Sequence, residues 1–270
     1  TGALNFVNGL INTGSNILAL NATSTITGAA AGRYVNGNLS LGIATGNTNR
    51  IFDVGSSGGY APITLNFTNV STSGDVLAFT TAGDHAQINS STINESLSVN
   101  RTWTMANTGV SFVSANASFV FPAANIDAGA NANTFIVAQY SAGWSYPTVS
   151  GRTATSTSVS GLTDLSASFA IGEGGAAAPT VTTDPANATA CNGSSISFTS
   201  IAASKPGSSV QWQISTNGGF SFINLTLAPP FSAVTNNAGG NTTSTLTINP
   251  VAVGYNSYQF RAVFTNSRGT

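Results

Sequence analysis

Short alternations of apolar and polar residues run through most of the chain. Leu4-Asn5-Phe6-Val7, Ile17-Leu18-Ala19-Leu20, Ile63-Thr64-Leu65-Asn66-Phe67, Val76-Leu77-Ala78-Phe79 and Ser118-Phe119-Val120-Phe121 each read as a strand with at least one buried face. Helical periodicity is nearly absent. Thr, Val, Ile, Ser and Asn all lower helix propensity, and Gly or Asn-Gly interrupts almost every window of ten residues. Regular short strands with turn punctuation predict an all-β chain of sandwiches in which antiparallel pairing dominates.

The turns are legible too. Asn8-Gly9, Asn36-Gly37 and Asn217-Gly218 supply the positive backbone angles of tight hairpins, and Tyr140-Ser141-Ala142-Gly143-Trp144 reads as a hairpin between two aromatic-bearing strands. Pro122 opens a loop or a single 3₁₀ turn toward Asp127. The stretch Gly172 to Pro179 contains nothing large enough to build a core. It sets residues 175–179 as a linker between two tandem antiparallel β-sandwich modules, 1–174 and 180–270, each of ordinary domain size. Residues 1–30 repeat a looser theme of strands, expected to extend or edge the first sandwich.

Composition narrows the function. Of 270 residues, 41% are apolar and only 6% charged, against roughly 25% charged in ordinary soluble domains. Such a chain is apolar enough to collapse and lacks the high net charge that accompanies disorder. Lys205 is the only lysine and the six arginines are scattered, so no basic stripe exists for a nucleic-acid partner. No apolar run approaches the roughly 20 residues of a membrane-spanning helix, and Thr1-Gly2-Ala3-Leu4 does not begin a signal peptide. Cys191 stands alone, so sheet packing and not an intrachain disulfide must supply stability.

After Pro179 the strand-like runs Thr180–Thr182, Ser195–Thr199, Val210–Ile214, Ser244–Ile248 and Tyr258–Phe264 resemble an immunoglobulin-like sandwich. The resemblance implies a core of Phe198, Trp212, Tyr258, Phe260 and Ala262. Trp212 would be the tryptophan of strand C, with Ala262 and Phe260 where the strand F cysteine and corner tyrosine fall. The turn Ser215 to Gly219, the strand Thr245-Leu246-Thr247-Ile248 and Tyr258-Gln259-Phe260-Arg261 are similar to Ig-like repeats of large Bacteroidota surface proteins. No strand follows Tyr258–Phe264, leaving two readings open: continuation of a longer chain, or a strand donated by another subunit.

In the first module, Tyr34-Val35-Asn36-Gly37, Phe52-Asp53-Val54-Gly55, Tyr60-Ala61-Pro62, Arg101-Thr102-Trp103 and Phe169-Ala170-Ile171-Gly172-Glu173 occur in order. That set resembles non-catalytic modules of repetitive, gliding- and adhesion-associated surface proteins exported by the type IX route in Bacteroidota. The resemblance implies an extracellular, cell-surface adhesin segment whose partners are neighbouring repeats or identical subunits.

Catalytic chemistry has little to draw on. His85 is the sole histidine and reads as a solvated loop residue beside Asp84, so no catalytic residue is assigned and no multi-histidine metal site is built. The eight acids are singly spaced. No cofactor or metal is assigned; calcium, held through carbonyls around Asp127 or Asp53, is the weaker alternative. Tyr140, Trp144 and Tyr146 fall at alternate positions around a hairpin and form a candidate glycan platform, if exposed in a row; core packing, as for Trp103, is the competing explanation.

Overall fold

The computed structural model describes residues 2–238 and 240–270; Thr1, where the amino-terminal reading begins, lies outside the described residues. The chain is all-β, its only helical elements among the described residues being four single 3₁₀ turns, one of them Ala123–Asn125 after Pro122. It divides into two compact units, Thr1–Gly174 and Gly175–Thr270.

In the first unit a ten-stranded and a five-stranded sheet enclose one core. Alternation sets which faces meet: along Ile63–Thr72, Ile63, Leu65 and Phe67 are buried while Asn66 and Thr68 are exposed. Trp103, Phe119, Phe121, Phe135 and Phe169 fill the centre, Trp103 at 5.4 Å from Phe119 and Phe119 at 5.0 Å from Phe169. Burying each of these rings is worth on the order of 1.5–3 kcal/mol. The Trp103 indole N–H donates to the Ala61 carbonyl at 3.1 Å, so the largest core side chain leaves no donor unmet.

The strands before residue 30 pair in parallel. Ala3–Asn5 lies alongside Thr25–Thr27, and Ile11–Leu20 alongside Val35–Ile43, which in turn pairs in parallel with Val54–Ser56. This overturns the hairpin expected at Asn36-Gly37. Asn36 instead stacks beside Asn12, its amide donating to Asn12 Oδ1 at 2.7 Å. Gly37, at φ 127°, leaves room for Thr13 Oγ1, which a Cβ would approach to 2.1 Å. Thr13 Oγ1 then accepts the Asn38 N–H at 2.8 Å. An Asn-Gly pair serves equally for a strand irregularity because both residues tolerate positive φ.

Of the linker expected over 175–179, residues 175–176 lie between strands and 177–179 fall in the Ala177–Thr183 strand. The Ala167–Gly174 strand runs through Gly172 and Glu173, pairing them with Ile136 and Phe135, and the next strand begins at Ala177. Small residues here serve close approach: a Cβ on Gly172 would lie 2.8 Å from Ser98 Cα and 2.7 Å from Ile93 Cγ2.

The second unit has one sheet ordered 177–183, 196–205, 241–248, 231–238 and another ordered 223–224, 209–215, 259–265. With strands lettered along the chain, these are A-B-E-D facing C′-C-F, an immunoglobulin-like layout. Trp212 is buried and donates to Ser244 Oγ at 2.9 Å, tying strand C to strand E. Ala262 sits opposite Trp212 in the register. Phe198 and Phe260, 5.3 Å apart, join the two sheets by aromatic contact, while Cys191 is exposed and free.

Phe198, Tyr258, Phe260 and Ala262, expected as core, are only partly buried. For the three rings the reason is a groove of about 380 Å³ at this end of the sandwich, which they line with Val251 and Tyr255.

Candidate functional site

The Phe135–Tyr140 and Trp144–Ser145 strands form the expected aromatic hairpin, with Tyr140 opposite Trp144. The three candidate rings do not form an exposed row. Tyr140 and Trp144 are half-buried, tilted 57° to one another with centroids 5.0 Å apart, and only Tyr146 is well exposed, at 44%. The Trp144 indole N–H donates to the Gln87 carbonyl at 3.1 Å and to Ser90 Oγ at 2.9 Å. The Tyr146 hydroxyl accepts the Thr92 N–H at 2.7 Å. Trp144 and Tyr146 are thus engaged with residues 87–92 and Tyr140 with His85 and Trp144, leaving no flat stacking platform.

The group that organises this cluster is His85, which the sequence places in a solvated loop. The structure corrects that placement: His85 packs 4.9 Å from Trp144 and 5.1 Å from Tyr140. Its Nδ1 accepts the Gln87 N–H at 3.0 Å, so the proton sits on Nε2, which donates to Ser168 Oγ at 2.8 Å. Burial depresses its pKa below the usual histidine value. A neutral imidazole held between two aromatic rings, with both nitrogens occupied, is a packing element and not a free base.

Beside it, Asp84 and Asp127 converge on Ser98. The Ser98 hydroxyl lies 2.6 Å from Asp84 Oδ1 and 3.3 Å from Asp127 Oδ2, and Asp127 also accepts the Ser98 N–H and the Asn100 amide. Desolvation pushes the Asp84 carboxyl above the usual carboxylate range; the Ser98 hydrogen bond opposes this, and the Asp127 and Glu95 charges add to it. Among the described residues no group of three or more His, Cys, Asp and Glu is placed to hold a metal ion. The neighbourhood of Asp53 differs: its Oδ1 accepts the Tyr60 hydroxyl at 2.5 Å, and desolvation raises its pKa.

Sequence reasoning did not single out Arg101 as a buried ion. Its side chain is fully buried, and its donors reach Asn125 Oδ1 at 3.0 Å, Ser56 Oγ at 2.9 Å and Thr80 Oγ1 at 3.1 Å. Nη2 has no partner. The Arg-x-Trp pattern was the available signal, since alternation puts Arg101 and Trp103 on one face of a strand whose Trp must be buried.

The sequence matches no known family model. No curated protein matches it either. Among solved structures, one similar chain is in the crystal structure of Dpr2 Ig1-Ig2 in complex with DIP-Theta Ig1-Ig3. It is 14% identical, with a TM-score of 0.30 over 77% of this chain and 69% of that one. At that score the likeness carries no argument about this protein.

Proposed function

We propose that this chain is a non-enzymatic structural and adhesive segment of a large bacterial cell-surface protein, holding binding partners away from the cell. One observation carries the reading: the surface is ordered by neutral side-chain hydrogen bonds where soluble domains usually place charges. Ser197 pairs with Thr247 and Thr199 with Thr245 across adjacent strands, each at 2.9 Å. Ser158 donates to Ser118 at 2.9 Å, Gln213 to Asn224 at 2.8 Å, and Asn36 to Asn12. Such ladders are indifferent to ionic strength, unlike surface ion pairs, which salt screens. They also offer trypsin few sites. This suits a spacer exposed to a variable medium, and the resemblance of the first unit's ordered motifs to Bacteroidota gliding and adhesion proteins supports the same reading.

An antibody raised against the folded chain is expected to label intact, unpermeabilised cells, and cells lacking the segment are expected to attach less well. Label that appears only after permeabilisation refutes the surface location. Unchanged attachment refutes the adhesive role.

A second reading, assembly by strand addition, is favoured by the Gln259–Thr265 strand, which among the described residues pairs along one side only, with Ser209–Ser215. An open edge is a template for another strand. Concentration-dependent association in sedimentation velocity is the expected result, and a monodisperse monomer at high concentration ends the idea.

A further inference from the structure

Asn-Gly occurs four times, at Asn8, Asn36, Asn192 and Asn217. Such a pair can close on itself: the glycine backbone nitrogen reaches the asparagine side-chain carbonyl carbon, and a glycine has no side chain to shield that nitrogen. Closure needs the asparagine side chain, the glycine N–H and the torsions between them to be free at once. Tertiary structure withholds this at three of the four pairs. The Asn36 amide donates to Asn12 Oδ1 at 2.7 Å, in a strand paired on one side with Asn12 and on the other with Gly55. At Asn192 the following N–H, of Gly193, is committed to the Val251 carbonyl at 2.8 Å. The Asn217 side-chain oxygen accepts the Ser215 hydroxyl at 2.8 Å and the Ser221 N–H at 3.1 Å, while its amide donates to Ser221 Oγ at 2.8 Å.

Asn8 differs on each count. It lies in the loop between Ala3–Asn5 and Ile11–Leu20, strands that do not pair with one another. Val7, Asn8, Gly9 and Leu10 are all exposed, Val7 at 77%. Neither the Asn8 side chain nor the Gly9 N–H has a hydrogen-bond partner among the described residues. A Cβ built on Gly9 would find nothing within 4 Å. The loop is fastened at its ends, where the Phe6 N–H donates to the Thr27 carbonyl at 2.9 Å and the Ile11 N–H to the Tyr34 carbonyl at 3.1 Å.

We propose that Asn8 is the first site of covalent modification in this chain, deamidating through a cyclic imide, with water as co-reactant and without loss of the fold. The Gly9 nitrogen gives up its proton to hydroxide and bonds to Asn8 Cγ. The Cγ–Nδ2 bond breaks, and the departing nitrogen takes a proton from water and leaves as ammonia. Water then opens the succinimide ring at either carbonyl, giving aspartate or an isoaspartate whose backbone runs through the former side chain. Either product adds one carboxylate to a chain with eight acids and a formal charge of −1. Residues 7–10 bury no side chain, so the extra backbone carbon of isoaspartate displaces nothing in the core. The charge of this loop therefore depends on the age of the molecule.

Peptide mapping by tandem mass spectrometry tests it, on the full chain aged in mildly alkaline buffer, with the same chain in guanidinium as the unfolded reference. In the folded chain Asn8 is expected to convert within about twofold of its unfolded rate. Asn36, Asn192 and Asn217 are expected to run about tenfold or more below theirs, because held groups must first open. Asn8→Gln, whose longer side chain would have to close a six-membered ring, is expected to remove the early product. The converted wild type is expected to keep its urea midpoint. Protection of Asn8 to the same degree as the other three overturns the proposal, as does conversion of any of those three as fast as Asn8. An early product that persists in Asn8→Gln, or a lowered midpoint in the converted chain, overturns it as well.

Discussion

Replacing Arg101 by lysine should damage the protein more than replacing it by methionine. The guanidinium is fully buried, reaches three neutral oxygens on Asn125, Ser56 and Thr80, and has no ion-pair partner among the described residues. Hydrogen bonds from a charged donor contribute about 1.5–3 kcal/mol each. A lysine ammonium is a single point on a flexible stem and cannot meet acceptors that Nε and Nη1 serve from separate places. Losing two of the three bonds while keeping the buried charge costs roughly 3–6 kcal/mol. Methionine forfeits all three bonds but also removes an ion whose desolvation costs several kcal/mol. Its net loss should stay near about 1–3 kcal/mol, the cost of the stranded acceptors. Urea unfolding of the full chain, followed by tryptophan fluorescence, should rank the midpoints wild type, Arg101→Met, Arg101→Lys. With a slope of about 1–3 kcal/mol per molar urea, the lysine variant should fall by about 1 M or more. A lysine variant as stable as the methionine one would show that the charge is compensated and refute the reasoning.

Three further outcomes follow from the same structure. Gly172→Ala would drive a methyl to 2.8 Å from Ser98 Cα, a backbone atom that cannot step aside, so thermal melting should report a loss of about 1–3 kcal/mol. Gly151→Ala, whose Cβ would meet nothing nearer than 3.8 Å, should stay within about 0.5 kcal/mol. For His85 the folded pKa lies below the unfolded value, so the unfolded chain binds more protons across the window between them. Its contribution is complete above about pH 6.5 and is lost as pH falls from there toward the folded pKa. The stability difference between wild type and His85→Gln should narrow across that window; a difference that stays flat as pH falls below about 6.5 contradicts the depressed pKa.

Much of the fold was legible because strand alternation is a local property. Ile63, Leu65 and Phe67 announce a buried face whatever they pack against, and Trp212 between glutamines marks a central strand through its own size and setting. Short range also explains the errors. Asn36-Gly37 has turn chemistry whether it ends a hairpin or bends a parallel strand, and only the arrival of Ile11–Leu20 alongside decides between them. Gly172 reads as part of a stretch too small to build a core because the sequence does not show that Ser98 passes within contact distance.

The candidate sites were harder still. His85 meets Tyr140, Trp144 and Ser168 across 55 to 83 residues of chain, and no spacing rule reaches that far. By itself the sequence determined the all-β class, the poverty of ionisable chemistry and the residues able to fill a core, since these depend on composition and a period of two. Strand order and register decided the rest: which arginine is stranded without a counter-charge, which rings turn inward, and which asparagine is left unheld. Those outcomes depend on distant segments sharing a sheet edge, and that is set by the packing of the whole unit.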